Sequence, residues 1–293
     1  MPRYKQVVYD NLSIRLICMR PSVISDHSLA CRLELAEALA NARFVDARAR
    51  LVPDSGAQWI EVAGAYAMYD GARSPCTQTF GLGLFQLPTA SDMEKLETFF
   101  KERAAPVLHE VCPLADKALL PMLNQRRYRP VELSQVMFLP LGEGVPSFAA
   151  DHESLRARVV SRDEQDLWAV TAAEGWREFT EARDLMRDLM RVSAAREDGA
   201  CFLVELDAQP IAAGALFIHH GVALLAGAST IPEWRGRGAQ RLLLQSRLQH
   251  AWQAGCDLAM ICAEPGSASQ RNSERQGFRI AYTRIKWGLA GKP

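Results

Sequence analysis

Two arginines alternate with two glycines at residues 235–238, between an apolar stretch and a helical pattern. The stretch VALLAGA, from Val222, has the length and small-residue content of a buried strand, and Pro232 interrupts it. From Ala239 the sequence AQRLLLQSRLQHAWQ predicts a helix. Such a turn brings backbone N–H groups, the positive end of a helix dipole and two guanidinium groups to one point. The pattern predicts a site for a pyrophosphate.

The spacing within this turn distinguishes between kinds of pyrophosphate site. Neither the dinucleotide fingerprint G-x-G-x-x-G nor the P-loop G-x-x-x-x-G-K-[ST] occurs here. The spacing resembles [RQ]-x-x-G-x-[GA], the signature of the GNAT superfamily of acyl-CoA-dependent N-acyltransferases. Arg235 and Gly238 match its first two fixed positions, and Gln240 departs from the third. A solvated strand–helix turn is the alternative that this motif alone leaves open.

The residues that follow extend the resemblance. The pattern predicts a strand at Leu258–Ala263, a short polar helix over residues 267–276 that Gly277 ends, and a last strand from Phe278 to Trp287. Strand, Arg/Gly turn, helix, strand, short helix, Gly-Phe and strand is the element order of the GNAT core. The last 140 residues or so, a length suited to one domain, therefore look like an intact GNAT domain.

The resemblance implies a set of cofactor-binding residues. In GNAT domains the strand before the turn splays away from its neighbour, and its free backbone groups pair with the pantetheine arm and polarise the thioester carbonyl. By position those groups belong to Ala228 and Thr230, and Asn272 in the short helix is expected to contact the arm. The expected pyrophosphate-binding residues are Arg235, Gly236, Arg237, Gly238, Ala239 and Gln240. An orientation of Arg237 toward solvent is equally compatible with the pattern.

Acyl transfer from a thioester also requires a proton for the leaving thiolate. Many GNAT proteins carry a tyrosine for this step, four residues before the Gly-Phe glycine, where this chain has Ser273. The nearest tyrosine is Tyr282, which shares strand parity with Phe278 and is therefore expected to face inward. We interpret Tyr282 as the candidate catalytic acid. A core tyrosine is the alternative reading of the same inward position.

An internal repeat indicates two domains. The segment from Val107 repeats the order of strand, proline, helix, aromatic residue and strand found from Leu258. The first copy lacks the basic turn, because residues 88–94 contain no arginine and no glycine. We therefore predict an α/β (α+β) fold of two tandem GNAT-like domains, each a mixed, mostly antiparallel sheet flanked by helices. The Gly- and Pro-rich linker over residues 140–154 separates a degenerate domain at 1–142 from the acetyltransferase domain at 143–293.

The first copy begins with a long predicted helix over residues 25–51, capped by Asp26. WIEVAGAYAMYDG, from Trp59, is predicted to form one strand and TQTFGLGLFQL the next, paired antiparallel. The pattern predicts only one strand in each half after its Gly-Phe or Arg-Tyr step, where many GNAT domains have two. Either a strand is exchanged between the halves or the sheets are shorter.

Composition limits the other function classes. The chain of 293 residues has 34 Lys+Arg and 34 Asp+Glu, so no overall field attracts nucleic acid or an anionic membrane. The seven cysteines show no C-x-x-C spacing, which favours reduced thiols over a metal site. No apolar run is long enough to span a membrane and the N-terminus lacks a signal-peptide core, so a cytoplasmic location is expected. A homodimer is compatible with these features.

Taken together, these patterns predict an N-acetyltransferase. Its C-terminal domain would transfer acetyl from acetyl-CoA, without a metal, to a primary amine of a small-molecule or peptide acceptor. The alternative is a catalytically silent acyl-CoA- or ligand-binding sensor, in which the absence of the helix tyrosine reflects lost catalysis.

Overall fold

The computed structural model describes residues 23–142, 144–145, 154–178 and 183–290. The N-terminal residues on which the signal-peptide prediction rests, and most of the predicted linker, lie outside these ranges. The described helices are α1 (His27–Leu51), α2 (Ala90–Lys101), α3 (Leu119–Gln125), α4 (Gln165–Glu174), α5 (Arg183–Ala194), α6 (Ala239–Gln253) and α7 (Ala268–Arg275). The strands are β1 (Gln58–Val62), β2 (Ala65–Tyr69), β3 (Gln78–Phe80), β4 (Leu108–Val111), β5 (Tyr128–Pro140), β6 (Leu155–Val159), β7 (Gly199–Leu206), β8 (Gln209–His219), β9 (Val222–Thr230), β10 (Leu258–Ala263) and β11 (Arg279–Leu289).

All eleven described strands form one sheet, in the order β1-β2-β3-β4-β11-β5-β10-β9-β8-β7-β6. Its pairs are antiparallel except for β3 with β4 and β9 with β10. This confirms the predicted mixed, mostly antiparallel fold with flanking helices. The repeat is also present, since β4-α3-β5 and β10-α7-β11 follow the same order.

The halves exchange strands. β11, from the second half, lies between β4 and β5 of the first, and β5 in turn pairs with β10 of the second. Of the two alternatives left open by the strand count, the exchange is the correct one. The boundary between residues 142 and 143 stays a prediction, because residue 143 and residues 146–153 are not described.

The first half differs from the sequence prediction at two points, one of which is that TQTFGLGLFQL forms a strand only over Gln78–Phe80. The segment predicted as a single strand from Trp59 is a hairpin of β1 and β2, joined at Ala63 and Gly64. Both turn residues have positive φ, 51° and 73°, which reverses the chain within two residues. The prediction of one strand was therefore wrong. The predicted antiparallel pairing with the following strand is confirmed in β2 and β3.

The two faces of the sheet pack against different helices. Successive residues of β5 point to opposite faces of the sheet and so belong to different apolar clusters. Val136 and Phe138 join the cluster under α1 and α4, whereas Met137 and Leu139 join the cluster under α6. Helix α1 begins as predicted, with the Asp26 side chain accepting from the Leu29 N–H. Although α1 belongs to the first half, it packs on strands of both halves. The first half thus forms part of the wall behind β9 and β10.

Candidate active site

The parallel strands β9 and β10 separate partway along their length. Their pairing runs from Val222 and Leu258 only as far as Leu224 and Met260. Beyond that point β9 continues for six residues to Thr230, and its pairing with β8 is irregular next to Gly227, which has φ +60°. The side of β9 that faces β10 therefore keeps backbone groups that no strand uses.

A cavity of about 1020 Å³ lies at this separation. That volume is at the upper end of the roughly 300–1,000 Å³ typical of ligand pockets. Its walls come from the end of α4, the second half of β9, the turn before α6, one face of α6, the end of β10 and α7. The members predicted from sequence are Ala228, Thr230, Arg235, Gly236, Gly238, Ala239, Gln240 and Asn272.

The cavity is strongly cationic. Four arginines line it, and no aspartate, glutamate, histidine or tyrosine is among its described lining residues. The arginines are Arg235, Arg241, Arg247 and Arg275. The start of α6 opens into the same space, with Gly238 at the N-cap in the left-handed conformation at φ +83°. A site of this charge selects an anionic ligand, and the helix start favours phosphate.

Arg235 holds the turn in place through the protein itself. Its Nε donates to the Thr230 carbonyl (3.3 Å), Nη2 to the Gly175 carbonyl (3.1 Å), and Nη1 pairs with Glu178 (2.6 Å). The nearby Gln240 amide donates to the Thr230 hydroxyl at 2.7 Å. These bonds tie the end of α4, the end of β9 and the start of α6 together. Arg235 therefore positions the helix start, besides lining the cavity.

Arg237 is the one predicted pyrophosphate residue outside the cavity lining. Its guanidinium lies over the Trp234 ring, 4.9 Å from the centroid, and the residue is exposed. The structure thus shows the solvent-facing orientation that the sequence left open. Its contribution to phosphate binding stays a prediction.

Tyr282 is buried, but not through the strand parity that was expected: a register shift between Ile280 and Tyr282 places it in a different core cluster from Phe278. It is not among the residues that line the cavity. Its hydroxyl donates to Glu34 Oε1 at 2.9 Å. Burial raises its pKa well above the ordinary value of 10, and the nearby Glu34 carboxylate raises it further. The hydroxyl is a weaker acid than a free tyrosine, so the geometry does not favour its role as proton donor.

Tyr282 belongs to a buried network of charges behind the cavity. Arg284 pairs with Glu34 (3.3 Å), Glu37 (2.7 Å) and Glu110 (3.1 Å). Glu37 in turn accepts a hydrogen bond from the Cys262 thiol at 3.2 Å, and Cys262 lines the cavity. The network therefore reaches the cavity wall at Cys262.

We expect Tyr282→Phe to leave acyl-CoA affinity within about twofold of wild type, because the residue lies outside the cavity lining. Calorimetric titration measures the affinity, and thiol release in single-turnover experiments measures the chemical step. A selective loss of kcat would establish Tyr282 as a proton donor acting through the network. An unchanged kcat would remove it from the mechanism.

Several lining residues were missed by sequence reasoning. They are Gly175 at the end of α4, Arg241 and Arg247 on α6, Cys262 on β10 and Arg275 on α7. Gly175 approaches β9 so closely that an added Cβ would lie 2.3 Å from the Ser229 hydroxyl. Nothing local in the sequence indicates that contact. Arg247, however, lies four residues after Leu243, on the buried face of α6, and an arginine there was a readable signal.

The second-half hydroxyls do not replace the missing tyrosine. Ser273 lines the cavity on α7, yet its hydroxyl donates to the Ser269 carbonyl at 2.9 Å within the same helix.

Among the described residues no group of three or more His, Cys, Asp or Glu side chains is arranged to hold a metal ion. None of the described helices has the length and apolar character needed to cross a membrane.

Comparisons with known proteins agree with this arrangement. Residues 141–262 match the family model of the acetyltransferase (GNAT) domain. The fold is similar to a GCN5-related N-acetyltransferase from Kribbella flavida, with a TM-score of 0.61 and 21% identity, covering 86% of this chain and 96% of that one. It is also similar to a GCN5-related N-acetyltransferase from Sphaerobacter thermophilus (TM-score 0.51, 19% identity, 78% of each chain).

A tandem GNAT protein from the clavulanic acid biosynthesis pathway is similar over 86% of this chain and 96% of its own, with a TM-score of 0.55 and 12% identity. No curated protein matches the chain in sequence. At these identities the structural likenesses show the fold, and the family model shows the domain. The chain therefore contains a GNAT acetyltransferase domain in its C-terminal half. Its fold is similar to that of solved GNAT proteins, one of which is a tandem GNAT protein.

Proposed function

We propose that this protein transfers an acyl group, acetyl in the simplest case, from acyl-CoA directly to a primary amine. The observation that carries the proposal is the cationic cavity at the separation of β9 and β10, into which the start of α6 opens. A small-molecule or peptide amine as acceptor, and a cytoplasmic location, belong to the same proposal.

The proposed cofactor position follows from the wall chemistry. The pyrophosphate would lie against the N–H groups at residues 238–240, where the helix dipole favours negative charge. The pantetheine arm would run along the free side of β9 toward the irregular pairing next to Gly227. Backbone N–H groups there would polarise the thioester carbonyl, as an oxyanion hole does.

Direct transfer is favoured over an acyl-enzyme because the cavity thiol is a poor nucleophile. Burial raises the pKa of Cys262 well above its ordinary value of 9, and Glu37 raises it further. The residue is therefore a thiol at neutral pH, and the thiolate is the reactive form. The amine nitrogen would attack the carbonyl, the C–S bond would break, and CoA would leave as the thiol.

One observation favours a second candidate function, a sensor that binds acyl-CoA without turnover. The Ser273 hydroxyl is engaged within α7, and Tyr282 lies behind the cavity wall. Neither is placed as an evident proton donor for the leaving thiolate. The two candidates share the ligand and differ only in chemistry.

The experiment that tests the proposal is calorimetric titration with acetyl-CoA, followed by a thiol-release assay across a panel of primary amines. Binding of one molecule per chain with amine-dependent thiol release is the expected result. Binding without thiol release for every amine would support the sensor. No binding of any acyl-CoA would overturn both.

A further inference from the structure

Arg247 is a buried cation in the deep part of the cavity. It lies on α6, its exposed fraction is 3%, and its guanidinium faces the pairing of β8 with β9. The lining around it is apolar, formed by Leu225, Leu244 and Ile261. Charged side chains are rarely buried without a partner, so the groups that contact Arg247 determine how its charge is accommodated.

All the hydrogen bonds of Arg247 within the described chain go to backbone carbonyls. Nε donates to Leu243 (3.3 Å), and Nη1 donates to Ala215 (3.2 Å) and Ala226 (3.5 Å). Among the described residues, no carboxylate pairs with it and no group accepts a hydrogen bond from Nη2. Burial lowers its pKa to about 10, so the side chain stays protonated at neutral pH. The cavity therefore contains a fixed positive charge that no carboxylate of the described residues neutralises.

The depth of this charge separates it from the pyrophosphate position. Arg247 follows the N-cap Gly238 by nine residues, which corresponds to about 13 Å along a helix. On the facing strand, Ala226 precedes Thr230 by four residues, which also corresponds to about 13 Å. The distance along the helix and the distance along the strand agree, as they must if the Arg247 guanidinium contacts the Ala226 carbonyl. The guanidinium thus lies at the level where an arm running along β9 would present its thioester and acyl group.

We propose that the preferred acyl donor carries a terminal carboxylate, as in the CoA thioester of a dicarboxylic acid, and that Arg247 binds this carboxylate. The inference rests on the proposed function and specifies its donor. In the reaction the amine forms the C–N bond, the C–S bond breaks, and the amine proton balances the CoA thiolate. The distal carboxylate is unchanged, so the product is an amide with a free acid.

Two donors of equal chain length test the inference on the wild-type protein. Succinyl-CoA and butyryl-CoA both present four-carbon acyl groups, and only the first has a terminal carboxylate. We expect calorimetry to give an affinity about 10- to 100-fold higher for succinyl-CoA, as a charge-assisted hydrogen bond implies. Equal affinities would overturn the inference.

The variant Arg247→Gln keeps a polar side chain, shorter than arginine, and removes the charge. We expect it to bring the ratio of succinyl-CoA to butyryl-CoA affinity to about one. A guanidinium that only braces the β8–β9 pairing predicts that both affinities fall together with an unchanged ratio. Binding of every donor alike would sink only this inference, whereas binding of none would sink the proposed function itself.

Discussion

Gly238→Glu is expected to weaken acyl-CoA binding by about 100-fold or more, which corresponds to at least roughly 2.7 kcal/mol. Gly238 is the N-cap of α6, and its φ of +83° is a conformation that favours glycine. A glutamate there adds a carboxylate at the position proposed for the pyrophosphate. Repulsion between the anions and the occupied volume would both oppose binding. Calorimetric titration with acetyl-CoA measures the loss.

Gly255→Glu is the matched control, because Gly255 has the same φ of +83° and follows the other end of α6. A Cβ there meets no atom within 4 Å. Both variants carry the same backbone strain and the same added charge, and only one of them touches the cavity. We expect Gly255→Glu to bind acetyl-CoA like the wild type. Equal affinities for the two variants would contradict the pyrophosphate position.

Arg284→Met should lower the free energy of unfolding by about 3–5 kcal/mol. The change removes the cation shared by Glu34, Glu37 and Glu110, which are all buried. Glu110 would keep Lys286 at 3.4 Å, whereas Glu34 and Glu37 would have no basic partner among the described residues. Urea denaturation near pH 8 measures the change.

The pH dependence distinguishes this mechanism from a simple packing defect. Burial raises the pKa of Glu34 from 4.5 to about 7, although the nearby Arg284 lowers it. Without Arg284 the pKa rises further, so the folded variant keeps protons that the unfolded chain releases above pH 4.5. The deficit relative to wild type should therefore grow as the pH rises above about 7, where wild-type Glu34 ionises, and level off below it.

Arg279→Met supplies the comparison, since Arg279 lies on the same strand and is exposed. We expect it to change the free energy of unfolding by less than about 1 kcal/mol at every pH. A pH-independent deficit in Arg284→Met, or one equal to that of Arg279→Met, would show that the charge network does not determine stability there.

The Arg/Gly turn between β9 and α6 was predictable because its signal is local. A strand end, an Arg/Gly turn and a helix start follow one another within about twenty residues, and each has its own composition. The same reasoning ordered the strands and helices of both halves. It failed at Ala63–Gly64, because an alanine at positive φ carries no evident turn signal.

The remaining features depend on contacts that are distant in sequence. No pattern around Tyr282 could show that Glu34, on α1, would occupy its hydroxyl. On α6 the apolar Trp252 is 45% exposed, so residue type alone did not determine burial there. Helical periodicity predicts the direction in which each side chain points, but the packing of the neighbouring strands determines which residues it contacts.

The exchange of β5 and β11 has a consequence for how the protein can be made. During synthesis β4 and β5 emerge long before β11, so the strand that belongs between them is still absent. Until β11 has been synthesised, the sheet of the amino-terminal half lacks one strand, and the apolar surface that this strand would cover is accessible to chaperones. A cut at residues 142 and 143 would leave each fragment missing a neighbour from the other. The two copies therefore fold as one unit, and neither is expected to fold correctly if it is fused to another protein without the other.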